Sequence, residues 1–386
     1  MNKMEPLFTD GFEKPSARYF SLVKAEKDAG NPVIGAYCCF TPLEIFWAID
    51  AAAVVLCGSS EAPIAAAEED LPSSICPLIK SSYGFVKTDT CPFYKLADGI
   101  VCETTCDGKK KMFELIKDIK PTHVMELPIA AGGQDALNYW IVQVKKLIKW
   151  IEEKFDRKIT KKMLNDAIKE ANHRRSLLLQ CYEYFKYPLP YISNTEMLSL
   201  YGFASYTKGE KVKNILTEVL GKLEARVESG ETYGSIESPR ILITGSPTIG
   251  PAEKVYKIIE ESGGMIVVSE ACSGIKPLLR PVEEGTNDPI RALAKRYFEM
   301  PCSIMMNNTR RLDELDYLIE EFKPNAVIEV VLSGCHTYNI ESFIIKKQIT
   351  EKHGLPYLKI ETDYSNSDME QIRTRVQALL EISKAD

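Results

Sequence analysis

The chain has 386 residues, 26% of them charged, and a formal net charge of −6. That length exceeds one ordinary hydrophobic core and suits two domains with an inserted piece, while the acidic balance excludes a general nucleic-acid surface, which has to be basic. Residues 1–10 lack the apolar run of a secretory signal, and the most apolar stretch, residues 42–56, is interrupted by Glu44 and Asp50; no membrane association is expected, and the chain reads as cytoplasmic.

In chain order, a leader helix over residues 16–29 is followed by the turn Gly30-Asn31-Pro32 and a strand over 33–37 that runs straight into Cys38-Cys39. The pattern then predicts a helix over 42–53, a strand over 54–57, helices over 63–71 and 75–85, a strand over 99–103, a helix over 109–119 and a strand over 123–127. Such alternation means a parallel sheet with helices on both faces. From residue 135 to about 227 strand patterns vanish, and charged–apolar periodicities such as 140–154 and 161–184 take over. A Gly-, Ser- and Pro-bearing linker over 229–240 precedes a second alternating run, with strands over 241–244, 265–269, 326–332 and 357–361 and helices over 290–298, 311–322, 339–350 and 368–382. The expected organisation is an α/β fold: two similar parallel-sheet domains, residues 1–134 and 236–386, with a helical segment and linker over 135–235 and a ligand site in the inter-domain cleft.

The halves echo one another. A strand, Cys106, a basic helix and a strand recur as a strand, Cys335, a basic helix and a strand. Cys76-Pro77-Leu78-Ile79-Lys80 and Cys272-Ser273-Gly274-Ile275-Lys276 both spell Cys-x-x-Ile-Lys, and 30 residues separate Cys76 from Cys106 and Cys272 from Cys302. Together these favour two related domains facing one another.

The chain holds 11 cysteines and only 4 histidines. Disulfides are rare in a reducing cytosol, so the thiols are expected to serve metal binding, catalysis or packing. Open α/β sheets bind ligands beyond the carboxyl ends of their strands, where Cys38, Cys106 and Cys335 fall. Cys106 and Cys335 each precede a helix, whose open N–H groups and positive potential lower a thiol's pKa and suit a negatively charged cluster; Lys109, Lys110 and Lys111 reinforce that potential. Two triplets stand out as metal ligands, Cys38, Cys76 and Cys106 in one half and Cys272, Cys302 and Cys335 in the other, which points to an iron-sulfur centre. Cys57, Cys102 and Cys181 read as core packing. Zinc is disfavoured, because structural zinc sites want close pairs such as C-x2-C, and the chain offers only Cys38-Cys39 and Cys102-x3-Cys106. The loop Gly245-Ser246-Pro247-Thr248-Ile249-Gly250 continues Pro251-Ala252-Glu253 and lacks the Gly-Lys-Ser/Thr of a phosphate loop, so any use of ATP belongs to a partner.

The run Gly35-Ala36-Tyr37-Cys38-Cys39-Phe40-Thr41-Pro42-Leu43-Glu44-Ile45 resembles the opening motif of the 2-hydroxyacyl-CoA dehydratase and benzoyl-CoA reductase family. The stretches from Thr104 to Lys111, Gly334 to Ser342 and Cys76 to Gly84 agree with it, and together they span nearly the whole chain. The resemblance implies a cluster held on three cysteines, at positions matching Cys38, Cys106 and Cys335. It also implies a separate ATP-hydrolysing activator, a dimer with its own [4Fe-4S] cluster, that delivers a low-potential electron. The extra cysteines make the chain look more like the double-cubane cluster proteins of the same superfamily, whose [8Fe-9S] centre takes three thiolates per cubane. Cys76, Cys272 and Cys302 then complete the set, with Cys39 and Cys91 as substitutes. On this reading the protein is a homodimeric iron-sulfur reductase component acting on a small substrate. Lys109 and Lys110 lie at the cluster, and Glu44, His336, Tyr338 and Glu341 line the cleft. The alternatives are a dehydratase subunit with a single [4Fe-4S] cluster and a non-catalytic carrier of clusters or electrons.

Overall fold

Two four-stranded parallel sheets frame the molecule. The computed structural model describes residues 7, 15–130, 132–204 and 208–384; apart from Leu7, the stretch 1–10, which lacks a signal pattern, lies outside them. The first sheet holds β1 (Val33–Ala36), β2 (Ala52–Val55), β3 (Gly99–Glu103) and β4 (Thr122–Met125) in the order β2-β1-β3-β4. The second holds β5 (Arg240–Gly245), β6 (Met265–Glu270), β7 (Ala326–Leu332) and β8 (Tyr357–Thr362) in the order β6-β5-β7-β8. Every pairing is parallel, so the two sheets are topological copies, as the echoes between the halves lead one to expect. Strands β1, β3, β6 and β7 are buried at every residue, which is why they read as continuous apolar runs rather than as alternation.

Helices α1 (Pro15–Asp28), α2 (Leu43–Ala48), α3 (Ile64–Ala67), α4 (Pro77–Lys87), α5 (Pro92–Leu96) and α6 (Asp107–Ile116) accompany the first sheet. A helical layer follows: α7 (Gln134–Phe155), α8 (Lys161–Glu183), α9 (Asn194–Ala204) and α10 (Glu210–Ser229). The second sheet carries α11 (Lys254–Glu261), α12 (Pro289–Phe298), α13 (Thr309–Phe322), α14 (His336–Lys347) and α15 (Met369–Ile382). The expected helix over 42–53 ends early. Asp50 takes a left-handed turn at φ 59, and Ala52 and Ala53, good helix formers, instead pair with Val33 and Ile34 as the start of β2. Burial between helices outweighs alanine's helix propensity here.

The helical layer is the wall common to both halves. Trp140, Val144, Leu147 and Ile151 of α7 share a core with Ile34 and Val101 of the first sheet and with Leu293 and Tyr297 of α12, while Leu177, Leu178 and Cys181 of α8 share another with Val267 and Val327 of the second sheet. Polar ties cross the same seam. Glu44 of α2, fully buried, pairs with Arg175 of α8 and accepts a hydrogen bond from the Tyr297 hydroxyl of α12 at 2.7 Å. The Tyr364 hydroxyl donates to the Gly58 carbonyl at 3.0 Å. At Gly334, whose φ is +72°, a Cβ would lie 2.5 Å from the Ser74 carbonyl oxygen, so only glycine lets the two halves approach this closely.

Two outcomes follow from this framework. Arg175→Met leaves the Glu44 carboxylate buried without its cation and is expected to cost about 3–5 kcal/mol in urea unfolding; the double variant Glu44→Gln/Arg175→Met should lose distinctly less than the sum of the single losses. On β4, the His123 ring sits 5.5 Å from Trp150 with its buried Nε2 lacking a hydrogen-bond partner, and burial, helped by Lys146, holds its pKa down to about 4. The unfolded chain therefore binds a proton at this site near pH 6.5 that the folded chain refuses. Its contribution to stability is present above pH 6.5 and is lost as pH falls from there towards 4. His123→Phe is expected to flatten that segment of the stability–pH curve relative to wild type, measured by unfolding at pH 7 and pH 5.

Candidate metal centre

Strands of both sheets end at one crevice, and the cysteines sit where they end. Cys38 and Cys39 follow β1, Cys57 follows β2, Cys106 follows β3 and caps α6, Cys272 follows β6, and Cys335 follows β7 and caps α14. Cys76 caps α4, and Cys302 lies between α12 and α13. Local packing draws them together. Gly108 lets α6 close on Ile79 of α4, where a Cβ would meet the Ile79 side chain at 2.6 Å, and the Gly334 turn brings the chain before Cys335 to within 3.0 Å of the Cys76 amide, measured from the same hypothetical Cβ.

The thiols form two neighbourhoods. Cys76 has Cys335 and Cys106 as electrostatic neighbours, and Cys106 has Cys335 and Cys38. On the other wall the Cys39 and Cys272 sulfurs lie 3.7 Å apart, with Cys302 close to Cys272 and Cys38. Cys335, expected with Cys272 and Cys302, thus groups with Cys76 and Cys106 instead, and Cys38 stands between the two sets. All the cysteines are free of disulfides.

Charge is unevenly placed. The hydrogen bond from Cys39, aided by Lys109, brings the Cys38 thiol down to about 6. Hydrogen bonding to Cys272 and Cys38 makes Cys39 hold its proton well above the ordinary range, and the same contact, with Lys276, lowers Cys272. Burial pushes Cys76 up to about 12 and raises Cys106 and Cys302. Lys109, half-buried, donates to the Tyr37 carbonyl at 3.4 Å; burial opposes its charge, but Cys57, Cys38, Cys106 and Glu103 hold it protonated. Below Cys38, the fully buried Glu103 accepts a hydrogen bond from Thr41, and burial keeps its pKa well above the carboxylate range.

Several expected residues stand elsewhere. Glu44 is behind the wall, in its ion pair with Arg175. Lys110 is exposed and bonds Asp107 at 3.0 Å on the outer face of α6, because it is one residue round the helix from Lys109. His336 is exposed on the first turn of α14. Glu341 pairs with Arg311 and accepts from Asn308 at 2.7 Å. Tyr338 is buried near Cys302 and Cys272, with the Arg311 guanidinium 4.8 Å from its ring. Cys91 caps α5 and accepts from the Tyr94 amide at 3.4 Å, near Lys120, which precedes β4, at the edge of the sheet away from the crevice.

Cys57, read as packing, belongs to the crevice: it donates to the Tyr37 carbonyl at 2.6 Å and neighbours Lys109 and Cys38. Extending the predicted strand to 57 hides it. It lies two residues past β2, as Cys272 lies two residues past β6, so Cys57 is the counterpart of Cys272. The Cys-x-x-Ile-Lys echo does not mark equivalent places, since Lys276 is fully buried 2.5 Å from Glu270 whereas Lys80 bonds Glu68 at 2.7 Å in a partly exposed pair.

The donors are almost all sulfur, and among the described residues no three His, Cys, Asp or Glu side chains converge closely enough to hold one metal ion. A single zinc wants its ligands at about 2.3 Å from one point; thiols spread over two walls suit a polynuclear iron-sulfur group, which accepts ligands from several loops.

Comparison with known proteins identifies the family of the chain. A family model described as 2-hydroxyglutaryl-CoA dehydratase, D-component, matches residues 38–382, a span that contains every crevice cysteine. The Escherichia coli (strain K12) protein named "Putative dehydratase subunit YjiM" is 41% identical over 378 residues, 98% of each chain. The (R)-phenyllactyl-CoA dehydratase beta subunit of Clostridium sporogenes is 24% identical over 387 residues, 97% of each chain, and a benzoyl-CoA reductase subunit of Thauera aromatica is 21% identical over 356 residues, 90% of each. No described helix is long and apolar enough to cross a membrane. The chain belongs to the 2-hydroxyglutaryl-CoA dehydratase D-component family.

Proposed function

We propose that the chain is the iron-sulfur reductase component of an ATP-activated, cytoplasmic system, acting on a small substrate beside an [8Fe-9S] double-cubane cluster. The observation that carries this reading is the number and spread of thiols at the crevice: eight of the eleven, Cys38, Cys39, Cys57, Cys76, Cys106, Cys272, Cys302 and Cys335, come from both halves and exceed what one cubane needs. Cys76, Cys106 and Cys335 would hold one cubane, and Cys272, Cys302 and one thiol of the Cys38-Cys39 pair the other. When bound, such a group supplies one-electron transfer at low potential. The protein's part is to ligate and to place Lys109 and Lys276 near the thiolates. The electron would come from an ATP-hydrolysing [4Fe-4S] activator dimer, and a two-fold partner suits a homodimer of this chain.

A dehydratase subunit with one [4Fe-4S] cluster on Cys38, Cys106 and Cys335 is the second reading, favoured by the electrostatic contact of Cys106 with both of the others and by the relatives named as dehydratase subunits. Anaerobic preparation with iron and sulfide analysis separates the two. The first expects about eight iron and nine sulfide per chain, the second about four of each. Cys272→Ser should remove at least about half the iron under the first reading and none under the second, while Cys91→Ser should leave the content unchanged under both.

A further inference from the structure

Beside the crevice lies a cavity of about 60 Å³ whose wall includes Cys38 and Cys39 and none of the other cysteines. It flanks the proposed cluster and is not the space that would hold it. Three arginines stand on its wall, Arg174 and Arg175 from α8 and Arg296 from α12, and all three are buried. Gathering cations in a small, partly apolar space is unfavourable unless anions balance them.

For Arg296 the neighbouring side chains do not supply that balance. Glu44 serves Arg175, which also bonds Asn172 at 2.8 Å. Arg174 stacks on Trp47 with its guanidinium carbon 3.9 Å from the ring, and Glu170 and Glu44 are the carboxylates in its field. Arg296 donates through Nε to the Arg280 carbonyl at 3.0 Å and through Nη2 to the Pro277 carbonyl. These neutral acceptors fix its plane without cancelling its charge, and among the described residues Nη1 has no hydrogen-bond partner and no carboxylate lies within ion-pairing distance of the side chain. A buried arginine with one donor group left without an acceptor selects a ligand that is acceptor-only. A volume of this size is enough to hold a small ion.

We propose that this cavity, between α2, α8 and α12 and open to Cys38 and Cys39, binds a small monoanion, a short carboxylate or a nitrate-like oxyanion, with Arg296 as the principal ligand-binding side chain. The assignment rests on the proposed function only in making the bound anion a neighbour of the cluster; the arginines themselves are protein.

The test is calorimetric titration of the anaerobically purified holoprotein with sodium formate and with sodium nitrate at constant ionic strength, with iron and sulfide measured on the same sample. The expected result is saturable binding of one anion per chain. It should weaken about ten- to a hundredfold in Arg296→Gln and less in Arg296→Lys, which keeps the charge. Crystals soaked in bromide should show an anomalous peak beside Arg296. A sample with full iron and sulfide that gives no saturable heat with either anion overturns the proposal, as does binding that neither variant weakens. A sample without iron or sulfide that still binds formate through Arg296 supports the anion site and counts against the cluster instead.

Discussion

The structure depends on one constraint: two parallel sheets with the same strand order present their carboxyl edges to each other. In a parallel sheet every strand delivers its following loop to the same side, so a chemistry-bearing residue just past a strand has nowhere else to go. Facing two such edges across one crevice multiplies the effect. Cys38, Cys57 and Cys106 arrive from one sheet and Cys272 and Cys335 from the other, with Cys76 and Cys302 added from helix junctions. What keeps the edges in place is the helical layer, which packs on both sheets, and the Glu44–Arg175–Tyr297 tie, which joins α2, α8 and α12 through a single buried carboxylate. Geometry at the sulfurs is therefore set jointly by the close glycine turns beside them and by packing along α7 and α8.

Buried charge is arranged around the thiols rather than scattered. Lys109 lies by Cys38, Cys57 and Cys106, and Lys276 lies by Cys272. Each of these cations would be unfavourable alone in a dry interior, and each becomes stable beside thiolates or a negatively charged inorganic group. The second half anchors its cation within a wider network, in which Glu270 pairs with both Lys276 and Arg311 and Arg311 reaches Glu329 and Glu341. The first half has no such ion pair among the described residues: Lys109 only lies in the field of Glu103, which accepts a hydrogen bond from Thr41. The two walls thus differ in electrostatic stiffness although their sheets are copies.

Much of this is legible in the sequence. Buried parallel strands announce themselves as short apolar runs, and a cysteine directly after one, as at Cys38, Cys106 and Cys335, is placed by that fact alone. The helical segment is legible from its 3.6-residue periodicity. The rest is not, for physical reasons. Ala51–Ala53 carries helix propensity that burial overrides, so the pattern places β2 two residues late and absorbs Cys57 into it. Cys91 looks like a ligand because a proline follows it, but the proline marks the first turn of α5 at the wrong edge of the sheet. Glu44 is expected at the cleft because it sits in the motif run; its partner Arg175 is 131 residues away, and no local pattern reveals such a pair. The same holds for the grouping of Cys335 with Cys76, which depends on the Gly334 turn meeting the N-terminus of α4.

The most direct test is an anaerobic crystal structure with anomalous data collected at the iron edge. The account predicts a continuous group of iron peaks in the crevice, bonded on one side to sulfurs among Cys76, Cys106 and Cys335 and on the other to sulfurs among Cys38, Cys39, Cys272 and Cys302. Iron confined to the thiols of one half, or a crevice in which these side chains hold no iron in an active, anaerobically prepared sample, would contradict it.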